Sequence, residues 1–196
     1  MTPMLGIMAS QISGHLGPTY PYLAYDSIAT TAVGSGGVSS ITFSSIPSTY
    51  THLQIRAMTK YVNAGDDSSG LHAVFNSDTA ANYSFHYMRG TGTATSSGGV
   101  ANASDFQISS ASPSTNALYN NMFGVSIIDI LDYANTNKYK TTRSFSGQSV
   151  NTGTYNYIWN FSGNWRSTSA ITNIVITPDS GLNWAQYSHF ALYGIK

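Results

Sequence analysis

Hydrophobic and polar positions alternate between Val38 and Thr59. Ile41 and Phe43 are separated by Thr42 and followed by Ser44; Leu53, Ile55 and Ala57 are separated by Gln54 and Arg56, with Met58 next. A period of two sends successive side chains to opposite faces, so both runs predict strands with one buried and one wet face. Ile46-Pro47-Ser48 lies between them. Pro47 has no N–H to donate and holds Ile46 extended, which predicts a corner. Similar grammar returns near the C-terminus: Ile174-Val175-Ile176-Thr177, a turn at Pro178-Asp179-Ser180-Gly181, then a closing strand. The outgoing strands share a pattern, Tyr50-Thr51-His52-Leu53-Gln54-Ile55 against Tyr187-Ser188-His189-Phe190-Ala191-Leu192. Six residues are too few for an internal repeat, and two edges of one sandwich solving the same packing problem is the preferred explanation.

The rest of the body has the same texture. Residues 28–33 predict a strand, ended by Gly34-Ser35-Gly36-Gly37, a hairpin signal leading into 38–44. Further strands are expected at 71–75 and 83–88, a short one at 105–108, and others at 121–133, 139–146, 155–165, 171–177 and 186–195. The stretch 89–104, rich in Gly, Ser, Thr and Ala, reads as a long loop or a weak exposed hairpin. In 121–133 both alternating sets are apolar, Val125 and Ile127 against Ile128 and Ile130, so both faces are expected to be partly covered. Nine to eleven short strands at this spacing predict an all-β domain, an antiparallel β-sandwich of jelly-roll type, over residues 23–196.

Residues 1–22 differ. Leu5, Met8, Ile12 and Leu16 fall close to one helical face, but Gly6 and Gly14 weaken the helix. Gly17-Pro18-Thr19-Tyr20-Pro21 follows as an extended tether. Such an arm folds back on its own domain, docks in a groove on a partner, or is a signal-like remnant. Docking is preferred, which makes Leu5, Met8, Ile12 and Leu16 the candidate anchoring residues. The absence of a basic N-terminal region argues against a secretory signal.

Composition sharpens the picture. Only 8% of the 196 residues are charged, against roughly 25% in an ordinary soluble domain. Eight basic and eight acidic residues cancel, so no bulk field draws the chain to nucleic acid or to an anionic membrane. Little charge repulsion keeps copies apart either, which suits life in an assembly. There is no cysteine, hence no disulfide or thiolate metal site. No apolar run approaches the roughly 20 residues that span a bilayer.

Candidate chemistry is thin. His72 and His86 sit on neighbouring predicted strands, with Asp66, Asp67 or Asp78 near in sequence. They are read as polar strand residues facing solvent or an interface in preference to a metal site. Asp66-Asp67-Ser68-Ser69-Gly70 matches a calcium loop only in part, and Asp129 and Asp132 give no better carboxylate pair. No G-x-S-x-G elbow is present, and Gly34-Ser35-Gly36 has no helix behind it to make a phosphate cradle. Neither an active site nor a cofactor is implied. Tyr155, Tyr157 and Trp159 alternate along one predicted strand and form the candidate oligomer or ligand surface. An interface or cross-strand aromatic pairing is favoured there over a sugar-stacking platform.

Three stretches carry a resemblance. Leu5-Gly6-Ile7-Met8-Ala9-Ser10-Gln11-Ile12-Ser13, Tyr25-Asp26-Ser27-Ile28-Ala29-Thr30 and Gly36-Gly37-Val38-Ser39-Ser40-Ile41-Thr42-Phe43-Ser44-Ser45-Ile46-Pro47 resemble small virion proteins of tailed bacteriophages. The closing Tyr187-Ser188-His189-Phe190-Ala191-Leu192-Tyr193-Gly194-Ile195 is similar to the same group. The resemblance implies a non-enzymatic β-sandwich on the particle surface or tail, assembled in the host cytoplasm, with no catalytic residues to transfer. A capsid decoration (cement) protein is the leading expectation, bound to the major capsid protein or another virion protein. The alternative is a tail, neck or baseplate component, or a fibre-like receptor binder gripping host glycan. A homo-oligomer is expected, with three copies as the anticipated number.

Overall fold

The period-two runs become strands in a computed structural model of the chain, which describes residues 24–65, 68–119, 121–150, 156–179 and 181–196. Twelve strands follow in order: β1 (Tyr25–Ala32), β2 (Ile41–Phe43), β3 (His52–Thr59), β4 (Ser68–Phe75), β5 (Tyr83–Gly90), β6 (Thr95–Ala103), β7 (Phe106–Pro113), β8 (Gly124–Leu131), β9 (Lys140–Gln148), β10 (Tyr157–Trp165), β11 (Ile174–Pro178) and β12 (His189–Ile195). They form two antiparallel sheets, one of eight strands ordered β1-β12-β3-β8-β9-β10-β5-β6 and one of four ordered β2-β11-β4-β7. Among the described residues the only helical element is a single turn at Ala117–Tyr119, and no helix is long and apolar enough to cross a membrane.

The domain is therefore the expected all-β sandwich. The chain crosses between sheets at nearly every step, and stays in one only along β5–β6 and β8–β9–β10. With the β8–β9 hairpin set aside, the sheets run β2-β11-β4-β7 and β3-β10-β5-β6, which is jelly-roll winding. The hairpin widens the large sheet, and β1 and β12 extend it further. The repeated Tyr-x-His pattern marks β12 and β3, which are neighbours in one sheet, with His189 opposite Met58 and His52 opposite Ile195.

Inward positions follow the alternation. Ile41 and Phe43, Leu53 and Ile55, Phe85, Phe161 and Trp165, Ile174 and Ile176, and Phe190 and Leu192 meet in one core. Ile46 is buried at the predicted corner, where the Pro47 carbonyl accepts a hydrogen bond from the Tyr133 hydroxyl.

Two expectations change, and one of two open readings is selected. Gly34 to Gly37 does not close a hairpin, because β1 and β2 belong to different sheets. The stretch after Arg89 does form the exposed hairpin, β5–β6, with β6 as an edge strand. The short strand at 105–108 runs on to Pro113 as β7, which is buried along most of its length although its second half is Ser109-Ser110-Ala111-Ser112. Small residues are used because β7 lies close against the large sheet. Ser109 and Ser126 hydroxyls bond at 2.7 Å, and Ser144 Oγ donates to the Ile108 carbonyl.

Candidate functional site

The aromatic strand faces inward. On β10 the half-buried Tyr157 and the buried Trp159, Phe161 and Trp165 share the core side, while Ile158 and Asn160 face out. Trp159 is only 6% exposed; it stacks near Phe161, meets Tyr87 edge-on, and has the Arg89 guanidinium 5.1 Å from its ring. Tyr157 joins the same cluster. The expected aromatic surface is thus corrected for Trp159, since the alternation that spaced these rings also fixes which face they share, and that face lines the sandwich interior. Tyr155 lies outside the described residues, as do Leu5, Met8, Ile12 and Leu16 of the arm and the Asp66-Asp67 pair.

His72 and His86 do not meet. They stand on strands of different sheets, and His86 is exposed on the large one. His72 lies on the outward side of β4, in a cleft of about 870 Å³ also lined by Ser40, Asp105, Thr177 and Asp179. Its Nδ1 is 2.8 Å from Asp105 and its Nε2 2.9 Å from Asp179. Asp179 in turn accepts hydrogen bonds from Ser69 Oγ and the Gly70 N–H. Asp78 is elsewhere, accepting from Trp165 Nε1 and Asn82. With a carboxylate on each ring nitrogen, His72 keeps no lone pair free to act as a general base. The cluster is a clamp between β4, the turn before β7 and the turn after β11. Among the described residues no group of three His, Cys, Asp or Glu side chains is placed to hold a metal ion.

The clamp has a pH signature. Burial pulls the His72 pKa down, but hydrogen bonds and charge from Asp105 and Asp179 outweigh it and push it up to about 9. Burial acts upward on Asp179, and the bonds from His72 and Gly70 reverse that, leaving it below the usual range. A histidine raised above its unfolded value of about 6.5 stabilises fully below that pH and stops doing so as pH climbs through the folded value. Asp179 contributes above its unfolded value of about 3.9 and less as pH falls through its lowered one. The clamp is therefore strongest between about pH 4 and 6.5. Thermal melts should lose about 1–2 kcal/mol of stability from pH 6.5 to 9.5, a figure discounted for water around the half-exposed Asp179. His72→Gln should flatten that slope; an unchanged slope would remove His72 as its source.

Among the described residues, the outer face of the eight-stranded sheet carries an extended run of exposed apolar side chains. Register places Arg56, Ile127, Phe145, Asn160 and Met88 in one cross-strand row. Met58, Val125, Gly147 and Ile158 form the next. Met58, Val125, Ile127, Phe145, Ile158 and Met88 are all exposed, Phe145 by 58%. Ile127 meets Phe145 and Met58 meets Val125 as direct row neighbours about 5 Å apart. Asn160 and Gly147 interrupt the rows, and Ile158 links Phe145 to Met88 along the diagonals. The apolar band across β3, β8, β9, β10 and β5 is thus broken by one amide. Polar groups border it. Asp129 accepts from Gln54 Nε2 at 2.8 Å and Arg143 Nε at 3.0 Å, and Arg56 donates to Gln54 while lying over the rings of Tyr25 and Tyr193. An apolar centre within a hydrogen-bonded border is the anatomy of a protein interface. The sequence hinted at it in the doubly apolar run of β8: Ile128 and Ile130 are buried in this chain, whereas Val125 and Ile127 are left outside.

No family model matches the chain, and no curated protein is similar to it.

Proposed function

We propose that the chain is a non-enzymatic structural subunit of a multi-copy assembly, joined to its neighbours through the outer face of the large sheet. The observation that carries this is the band Met58, Val125, Ile127, Phe145, Ile158 and Met88, exposed on one chain. Monomeric soluble proteins rarely show contiguous apolar patches beyond a few hundred Å² without a partner for them. Zero formal net charge on the whole chain removes the repulsion that would keep copies apart. The resemblance to tailed-phage virion proteins suggests a virion as the assembly. A capsid decoration subunit is the leading role, with the arm carrying Leu5, Met8, Ile12 and Leu16 for attachment to the particle. A tail or fibre subunit is the alternative, separated from it by copy number per particle.

Sedimentation velocity on the full chain tests the proposal. The wild type should sediment as an oligomer at micromolar concentration. The double variant Ile127→Lys with Phe145→Glu should be monomeric, with its melting temperature held because exposed strand substitutions cost within about 0.5 kcal/mol. A monomeric wild type, or a double variant as oligomeric as the wild type, would rule out this face as the contact.

A further inference from the structure

A second hollow opens at the end of the large sheet where β1 and β3 leave and β8 and β12 enter. It is an open hollow of about 450 Å³ lined by Gly36 and Gly37, Lys60 and Val62, Thr115, Asn121 and Phe123, and Ala185 to Tyr187. That is within the range of about 300–1,000 Å³ usual for small-ligand sites. Neither the clamp at His72 nor the apolar band uses any of its lining residues.

Its wall contains a buried cation. Lys60 is 7% exposed. Its Nζ donates to the Tyr119 carbonyl at 2.7 Å and lies 5.8 Å from the Phe123 ring. An ammonium carries three donors, and Lys60 has no other hydrogen-bond acceptor and no carboxylate partner among the described residues. The backbone leaves it little freedom to turn away. The Lys60 N–H donates to Ser188 Oγ at 3.0 Å, and its carbonyl accepts from Ser188 Oγ at 2.9 Å and from the Ala185 N–H at 2.8 Å. Burial without a counter-charge lowers its pKa. A partly unmet buried charge is costly to keep, and an anionic oxygen delivered by a ligand would meet it.

The rim has its own strain. Tyr187 sits at φ 70°, a left-handed conformation that is an outlier for a bulky side chain and is strained. Two backbone bonds hold it there, from its N–H to the Val33 carbonyl and from the Val33 N–H to the Ser188 carbonyl. The outcome is a tyrosine 70% exposed beside the hollow. Asn121 at φ 61°, Gly36 at 95° and Gly37 at 71° also line it in the left-handed region. Asn121 and Gln186 line the same space, and neither side-chain amide has a hydrogen-bond partner among the described residues.

We infer that this hollow binds a hexuronic acid residue of a polysaccharide. The carboxylate sits on the Lys60 ammonium, the ring hydroxyls exchange hydrogen bonds with the Asn121 and Gln186 amides, and the C–H face of the sugar lies on the Tyr187 ring. Each demand selects the ligand. The ammonium needs an anion, the amides need groups that both donate and accept, and the exposed ring needs a flat apolar face. A small inorganic anion meets only the first, and a neutral sugar only the other two; a peptide carboxylate is the competitor that the titration must exclude. The inference does not rest on the assembly role, since a subunit of any oligomer can carry this pocket.

Calorimetric titration of the full chain with trimers of galacturonate, glucuronate and mannuronate, each beside its carboxyl-reduced neutral trimer, tests it. At least one uronate should bind in the millimolar range or tighter, and at least tenfold better than its neutral partner. Lys60→Met should abolish that discrimination. Tyr187→Gly suits the left-handed backbone and removes the ring, so it should weaken the uronate at least fivefold while the fold persists. Should Lys60→Met not fold, the uronate-to-neutral ratio of the wild type and the Tyr187→Gly result still decide. Failure of all three uronates, equal binding of charged and neutral trimers, an unaffected Tyr187→Gly, or capture of a peptide carboxylate in place of uronate would each overturn the inference.

Discussion

Gly124→Ala is expected to lower the stability of the domain by about 4 kcal/mol or more, among the largest losses a single methyl can produce. Gly124 opens β8 and faces β7 across the sandwich. A Cβ there would lie 1.6 Å from the Ala111 carbonyl oxygen and 2.5 Å from its carbon. The obstacle is backbone, so no rotamer change relieves it, and overpacking of this kind displaces whole elements. β7 would have to retreat from the large sheet. That would stretch the 2.7 Å bond between Ser109 and Ser126 and the bond from Ser144 to the Ile108 carbonyl, both buried. For a domain of this length the loss corresponds to about 8–16 °C in melting temperature. Gly147→Ala on β9 is the control. Its Cβ would meet only the Tyr157 carbonyl, at 3.3 Å, and should cost about 1 kcal/mol or less. Equal melting of the two variants would mean that β7 is not packed at this distance.

The same contact explains what the sequence concealed. Strands whose inward residues are large were legible from their period alone: β3 through Leu53, Ile55 and Ala57, and β10 through Trp159 and Phe161. β7 was read only as far as Ile108, because the close approach that buries it demands Ser and Ala, which look like loop. Sheet membership was less accessible still. Gly36 and Gly37 do turn the chain, with φ of 95° and 71°, but a glycine turn says nothing about whether the next strand pairs with the last or crosses to the other sheet. The candidate sites fared according to sequence separation. His72, Asp105 and Asp179 come together only because β4, β7 and β11 belong to one sheet, and no local spacing encodes that. Lys60 carries a local trace, a charged residue just past an alternating strand. Its burial depends on Tyr119, Ala185 and Ser188, all distant in the chain. The apolar band was half visible in Val125 and Ile127, and its other members became neighbours through register.

Lys140→Met is expected to cost about 3 kcal/mol, although methionine matches much of the lysine stem in length and fits an apolar site. Lys140 is fully buried at the start of β9. Its Nζ donates to three backbone carbonyls, those of Asn135 at 2.6 Å, Lys138 at 3.0 Å and Thr168 at 3.1 Å. Each of the three ammonium donors therefore has an acceptor. The lysine ties the β8–β9 turn to the segment following β10, alongside the backbone bond from the Ile171 N–H to the Tyr133 carbonyl at 2.9 Å. Burial lowers its pKa, but removing the charge does not recover that cost, because three carbonyls turned toward the ammonium would lose their donor together. Lys140→Arg should not rescue: a planar guanidinium cannot reproduce three tetrahedral donors converging on this site. Lys138 provides the contrast, since it is mostly exposed and pairs with Asp132, so Lys138→Met should shift stability by about 0.5 kcal/mol or less. Denaturant unfolding of the three variants ranks them directly. If Lys138→Met proves as damaging as Lys140→Met, the turn is held by the surface ion pair and not by the buried ammonium.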